Sequence, residues 1–186
     1  ETKTKYKLGL QLPTDPRWAN MAEISLEEIL TDHAFCEQKA TTSCISLIQK
    51  YPKHTRLVNK LSPVVTEEWG HFRLVIAEME KRGMQLGEQR NDEYVVALRK
   101  FQKKDGSRET ALIDALLAFA LIEARSCERF RLLSLNISDP KLRDFYHMFM
   151  VSEAGHYRMF LDLAYHYADD DVFVKNRWQQ YLDFEE

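Results

Sequence analysis

The chain has 186 residues, 45% hydrophobic and 30% charged, a balance that fits a single soluble domain over residues 1–186 and excludes a disordered chain. At this length roughly 70% of the unfolded surface can be buried, so a core forms without disulfide staples. The net charge of −3 disfavours a strongly basic nucleic-acid or membrane binder on global charge, and leaves room for a local cationic patch. In chain order, Ser25 with Glu28 reads as a capping box opening a helix that runs to about Lys50, and Tyr51-Pro52 ends it. Ser62-Pro63 reads as an N-cap with proline at the first helical position, for a helix to about Arg82 that stops at Gly83. Asn91 is expected to cap a short helix to about Lys103, and Asp105-Gly106-Ser107 breaks the chain before a long helix to about Leu135. Ser138-Asp139-Pro140 restarts it for a helix to about Tyr167, and Asp169–Asp171 caps a last one. No stretch shows sustained strand alternation, and 6 glycines and 5 prolines are too few for a hairpin-rich sandwich or barrel. The expectation is an all-α protein of four long helices with shorter additions.

Each long helix carries a seam at the 4,3,4,3 spacing of core-facing positions in a bundle. The seams read Leu26, Leu30, His33, Glu37, Ala40, Cys44, Leu47; then Val64, Glu68, His71, Val75, Met79; then Leu112, Leu116, Phe119, Glu123, Ser126, Phe130, Leu133; then Leu142, Tyr146, Phe149, Glu153, His156, Phe160, Leu163. Every seam has a glutamate near its middle, where a charge belongs least.

Two of these glutamates start a Glu-x-x-His, Glu68 to His71 and Glu153 to His156, and residues i and i+3 share a helix face. The interval from Glu37 to Glu68 recurs within one residue from Glu123 to Glu153, with midpoints near Pro52 and Ser138 in the two expected turns. Residues equidistant from the turn of an antiparallel hairpin sit level, so each hairpin sets a lone Glu beside a Glu-x-x-His. Four ionised carboxylates in an apolar core cost many kcal/mol unless compensated, and two divalent cations supply the compensation. The metal-ligand set is therefore Glu37, Glu68, His71, Glu123, Glu153 and His156. Mixed carboxylate and imidazole ligation suits iron or manganese better than zinc.

At these residues the chain resembles the ferritin-like di-iron carboxylate superfamily, from about Ser25 to Tyr167. The segments around the ligands, DHAFCEQKA at 32–40, EEWGHF at 67–72, IEARSCERF at 122–130 and SEAGHY at 152–157, more closely resemble the bacterial tRNA hydroxylases of the MiaE type. The resemblance implies a ferritin-like four-helix bundle with additional short helices, its core at about 25–167. It implies two iron ions, with Glu68 and Glu153 as bridges and Glu37 and Glu123 as terminal ligands. It also implies hydroxylation of the isopentenyl group of 2-methylthio-N6-isopentenyladenosine in tRNA, using dioxygen and electrons from an external donor or reductase. No catalytic side chain is identified beyond the metal ligands. A ferritin- or bacterioferritin-like iron oxidation and storage protein is the alternative; the long stretch from His71 to Glu123, with its extra helix, weighs against it. Manganese-catalase-like peroxide chemistry and a metal-free helical scaffold are further alternatives, the last leaving four core glutamates unexplained.

His33, one turn before Glu37, reads either as a hydrogen-bond partner of a ligand or as a core histidine. Asp32 and Asp114 are candidates to orient ligand imidazoles. Phe119, Phe130, Tyr146, Phe149 and Phe160 are expected to line or pack near the site. Phosphate contact needs clustered cations, and the candidate patch for tRNA is Arg99, Lys100, Lys103, Lys104 and Arg108. Lys50, Lys53, His54, Arg56 and Lys60 form a second basic stretch, and Arg125, Arg129 and Arg131 are candidates to border an entrance. The three cysteines, Cys36, Cys44 and Cys127, have no CxxC spacing and are expected to be reduced, buried and inert in a cytoplasmic protein. The start, ETKTKYKLGLQ, lacks the apolar segment of a secretory leader and lacks Met, so residues preceding Glu1 are expected. The apolar run from Ala115 to Ile122 is too short to span a membrane.

Overall fold

The structure is a computed structural model that describes residues 8–11, 13–15, 17, 25–103 and 106–185. Its helices are α1 (Leu26–Lys50), α2 (Thr55–Lys81), α3 (Glu93–Phe101), α4 (Arg108–Asn136), α5 (Pro140–Tyr167) and α6 (Asp171–Phe184). Among the described residues there is no strand, and no helix is long and apolar enough to cross a membrane. The chain divides into two compact units, Ala22–Asn91 and Glu1–Met21 with Asp92–Glu186.

In the Ala22–Asn91 unit, α1 and α2 pack as a hairpin. The turn between them is pinned by Tyr51, which is buried, and whose carbonyl accepts from the His54 N–H at 3.0 Å. The Ser62-Pro63 helix start is overturned: α2 begins at Thr55 and carries Pro63 inside it. An internal proline costs about 3 kcal/mol. The two extra turns bury Leu57 and Leu61 completely, and each buried leucine returns about 1.5–3 kcal/mol. Pro63 and Asn59, whose carbonyl loses its partner, both face solvent. At the other end Gly83, at φ +68°, donates to the Glu80 carbonyl while Met84 donates to Met79, so the glycine stop is formed as expected.

The capping box at Ser25 is not formed. Ser25 makes no side-chain cap bond, and the Glu28 carboxylate instead accepts from Arg90 Nη1 at 3.1 Å. The segment after α2 is strapped to α1: Gln85 N–H donates to Glu27, Gly87 N–H to Thr31 Oγ1, and Arg90 to Asp32. Asp32 is thus committed to Arg90 rather than to an imidazole.

In the second unit α4 and α5 form the other long hairpin, and α6 packs on both. Four side-chain caps start its helices: Asp92 on Val95, Ser107 on Thr110, Asp139 on Lys141 and Asp170 on Val172. The short helix is therefore capped by Asp92, one residue beyond Asn91. A buried network fastens this unit. Asp114 accepts from Arg177 Nε, from Tyr181 Oη at 2.9 Å and from the Lys103 N–H at 2.8 Å. Arg177 also donates to the Phe101 carbonyl at 3.0 Å and lies over the Phe101 and Tyr181 rings. Asp114 therefore orients a cation of α6, not a ligand imidazole. Arg125, expected at an entrance, instead donates to both Glu185 oxygens and to Glu128, while Arg129 and Arg131 are exposed.

Removing one partner of a buried ion pair strands the other. Asp114→Ala is expected to lower the unfolding free energy by about 3–5 kcal/mol in urea titrations. Arg17→Ala, which breaks the exposed pair with Asp15, is expected to leave the midpoint unchanged.

Candidate metal centre

The α1–α2 hairpin brings Glu37, Glu68 and His71 together, each buried, with one ligand atom of each within 4.8 Å of the others. His71 Nδ1 lies 3.4 Å from Glu37 Oε2 and 3.4 Å from Glu68 Oε2. His33, four residues before Glu37, places Nε2 2.7 Å from Glu37 Oε1. Thr41, four residues after it, donates to the Glu37 carbonyl at 2.9 Å.

Burial, with the adjacent Glu68 carboxylate, pushes the Glu37 carboxyl well above the ordinary range. Burial alone would lower His71, but the Glu37 and Glu68 carboxylates outweigh it and hold the imidazole up at about 10. Burial, helped by the charge on His71, pushes His33 down to about 3, so its ring is neutral at physiological pH. This hairpin thus collects negative charge that it must neutralise with a proton or a cation.

The α4–α5 hairpin repeats the arrangement with Glu123, Glu153 and His156, again buried and again with one ligand atom of each within 4.8 Å of the others. His156 Nδ1 lies 4.0 Å from Glu153 Oε2. Cys127, one turn after Glu123, donates its thiol to the Met150 carbonyl at 3.3 Å. Burial and the Glu123 carboxylate push that thiol up to about 11, so it brings no thiolate to the site. The donors of both hairpins are carboxylate oxygens and imidazole nitrogens, which fits iron or manganese and not a thiolate-bound zinc.

The aromatic seam residues lie in the second unit. Phe130 packs on Tyr146 and Phe149, and Phe119 on Phe160 at 5.6 Å between ring centroids. Cys44 and Cys127 are buried as expected; Cys36 is not, because it precedes Glu37 by one residue and the helix turns it outward. Of the cationic candidates, Arg99, Lys100, Lys103 and Arg108 are exposed at the end of α3 and the start of α4, and Lys104 lies outside the described residues. In the other basic stretch Lys50, Lys53, Arg56 and Lys60 are exposed and His54 is half-buried against Tyr51. Sequence reasoning missed the anchoring role of Arg177 and Glu185. An arginine at a buried position of an otherwise amphipathic terminal helix was the available signal.

The family described as tRNA-(MS[2]IO[6]A)-hydroxylase (MiaE) matches residues 2–186. A Pseudomonas putida protein named tRNA 2-(methylsulfanyl)-N(6)-isopentenyladenosine(37) hydroxylase is 38% identical over 161 residues, covering 87% of this chain and 77% of its own. A Salmonella typhimurium protein of the same name is 26% identical over 218 aligned positions, covering 91% of this chain and 80% of its own. Among solved structures, one described as protein 43 with aldehyde deformylating oxygenase activity from Synechococcus superposes with a TM-score of 0.89. It is 31% identical, with 95% of this chain and 86% of that one covered. With the helix order above, this likeness makes the fold all-α and ferritin-like.

A ligand that binds only the folded state stabilises it, by about 4 kcal/mol at a thousand times its dissociation constant. Ferrous or manganous ion added to chelator-treated protein is expected to raise the thermal midpoint. Magnesium, which favours all-oxygen ligation, is expected to do little. Glu68→Gln should flatten the response to ferrous and manganous ion in the same melts.

Proposed function

We infer the activity from a plain premise: the chain belongs to the MiaE family of tRNA hydroxylases, and it hydroxylates the isopentenyl group of 2-methylthio-N6-isopentenyladenosine in tRNA. The observation that carries this reading is the family match over residues 2–186 together with a buried Glu, Glu and His in each of two helical hairpins. It is better supported than iron storage, since both named relatives are tRNA hydroxylases.

We propose that Glu37, Glu68, His71, Glu123, Glu153 and His156 together hold two iron ions, with Glu68 and Glu153 shared between them. The mirrored spacing and the like donor sets of the two hairpins support this, and on this reading residues 1–186 act as one domain. The chemistry such a pair would supply is the activation of dioxygen: one oxygen atom would go to the substrate carbon and the other leave as water, with two electrons from an external donor and two protons. The protein's own part is to hold the ligands, exclude water and place the substrate. Phe119, Phe149 and Phe160 stand one turn from Glu123, Glu153 and His156 respectively. They give that half of the site an apolar surround suited to a five-carbon hydrocarbon group. Arg99, Lys100, Lys103 and Arg108, all exposed, are proposed contacts for tRNA phosphates. The enzyme is proposed to work in the cytoplasm, where its tRNA substrate is found.

The test is mass spectrometry of nucleosides from hypomodified tRNA, treated with iron-loaded, reduced protein and dioxygen. The methylthio-isopentenyl nucleoside is expected to gain the mass of one oxygen atom, and Glu153→Ala to abolish the gain. Unchanged tRNA, while the protein still consumes dioxygen, would overturn the substrate. In the same assay, reversing charge at Arg99, Lys100 and Lys103 is expected to raise KM for tRNA and leave kcat unchanged. The salt dependence of binding should flatten by about one unit for each phosphate that is no longer neutralised.

A further inference from the structure

We propose that Trp69, stacked on Phe72 and flanked by Arg73, is a platform on which an unpaired base of the tRNA substrate stacks. This rests on the tRNA reading above. Trp69 and Phe72 lie three residues apart on α2, with ring centroids 4.8 Å apart and 17° between their planes. Residues at this spacing share a helix face, so the pair is a local property of α2. Phe72 is half-buried, whereas Trp69 leaves 45% of its surface open. Among the described residues no phenylalanine, tyrosine or tryptophan is more exposed. Phe72 backs one face of the indole, so an incoming flat group meets a ring that is already held in place.

The place of the pair along α2 matters as much as its exposure. Trp69 directly follows Glu68 and precedes His71 by two residues, and both of those are buried. The helix rises about 1.5 Å per residue and turns about 100°, so Trp69 stands at the depth of Glu68 and His71 but points out of their seam. Arg73, exposed, is one turn beyond Trp69 on the same face. Glu67 is about 200° of helix rotation from Trp69, which leaves that face to the cation.

The chemistry of the substrate says what such a surface meets. A methylthio group on C2 and an isopentenyl group on N6 both crowd the Watson–Crick edge of adenine, so this nucleoside is reached in unpaired RNA. Unpaired bases are recognised by splaying them onto aromatic rings and guanidinium planes, and their phosphates by cations. A base neighbouring the modified one, stacked on Trp69 with a phosphate at Arg73, anchors the strand at the depth of Glu68 and His71. Stacking reads the face of a base and not its edge, so the platform accepts any of the four bases and leaves the choice of nucleoside to other contacts.

The experiment measures anaerobic binding of hypomodified tRNA to the full, iron-loaded chain over a range of salt concentrations. Trp69→Ala is expected to weaken binding by about 5–150-fold with the salt slope unchanged, and Trp69→Phe to recover most of the loss. Arg73→Ala is expected to weaken binding and to lower the salt slope by about one. Melting midpoint and iron bound per chain are expected to match wild type in each variant, which a purely structural tryptophan would not allow. If Trp69→Ala melts early, Trp69→Leu, which keeps an apolar contact with Phe72 but no ring, takes its place. For an RNA hairpin carrying the nucleoside in its loop, the Trp69→Ala loss is expected to persist; for the same strand annealed to its complement it is expected to vanish. Wild-type affinity in a folded variant without the ring would overturn the platform and leave the substrate reading standing. A wild-type dimer that Trp69→Ala splits in sedimentation would also overturn it, by assigning this face to a second copy of the chain. A wild-type chain that does not bind the tRNA would overturn the substrate reading instead.

Discussion

Burying an ionised carboxylate costs several kcal/mol even after relaxation, and this chain buries Glu37, Glu68, Glu123 and Glu153 on helix seams whose other positions are mostly apolar. Net stabilities of about 5–15 kcal/mol leave little room for such a cost. The helices respond with length. α1, α2, α4 and α5 each run more than twenty residues, so turns of leucine, valine and aromatic residues extend on both sides of each acid. Leu57, Leu61 and Val75 are fully buried in α2, and Leu112, Leu116 and Leu133 in α4. The apolar turns hold the helices together around these acids.

The helices that carry the lone glutamates are also the ones fastened by further polar contacts. On α1 the strap from Gln85 to Arg90 takes up Glu27, Glu28, Thr31 and Asp32. On α4, Asp114 is held by Arg177, Tyr181 and the Lys103 N–H, and Arg125 is held by Glu185. Neither Glu37 nor Glu123 is followed one turn later by a histidine, as Glu68 and Glu153 are. The position of each depends on the rotation of its whole helix, and these contacts fix that rotation.

The buried glutamates proposed as ligands are legible in the sequence because a charge inside an apolar seam is an anomaly, and four anomalies at mirrored positions constrain one another. Helix starts at Asp139 and within Asp169–Asp171 are legible because their caps act over a few residues. The failures come from interactions distant in sequence. Pro63 is a strong local signal, yet the burial of Leu57 and Leu61 overrides it. Glu28 has the spacing of a capping box, but Arg90 takes its carboxylate. Asp114 resembles a partner for an imidazole because nothing near it in sequence announces Arg177. Cys36 misleads by residue type, although its place beside Glu37 already puts it off the seam.

Glu185 gives the end of α6 an unexpected weight. Its carboxylate is shared between Arg125 and the Tyr94 hydroxyl, so one side chain near the last turn joins α3, α4 and α6. Helix ends ordinarily fray, and that fraying is harmless when the last residues touch only water. Here each fraying event releases a partly buried guanidinium two residues from Glu123, so motion at the end of α6 is felt at the helix that carries this buried glutamate. Whatever loosens this last turn of α6 also loosens the grip on α4.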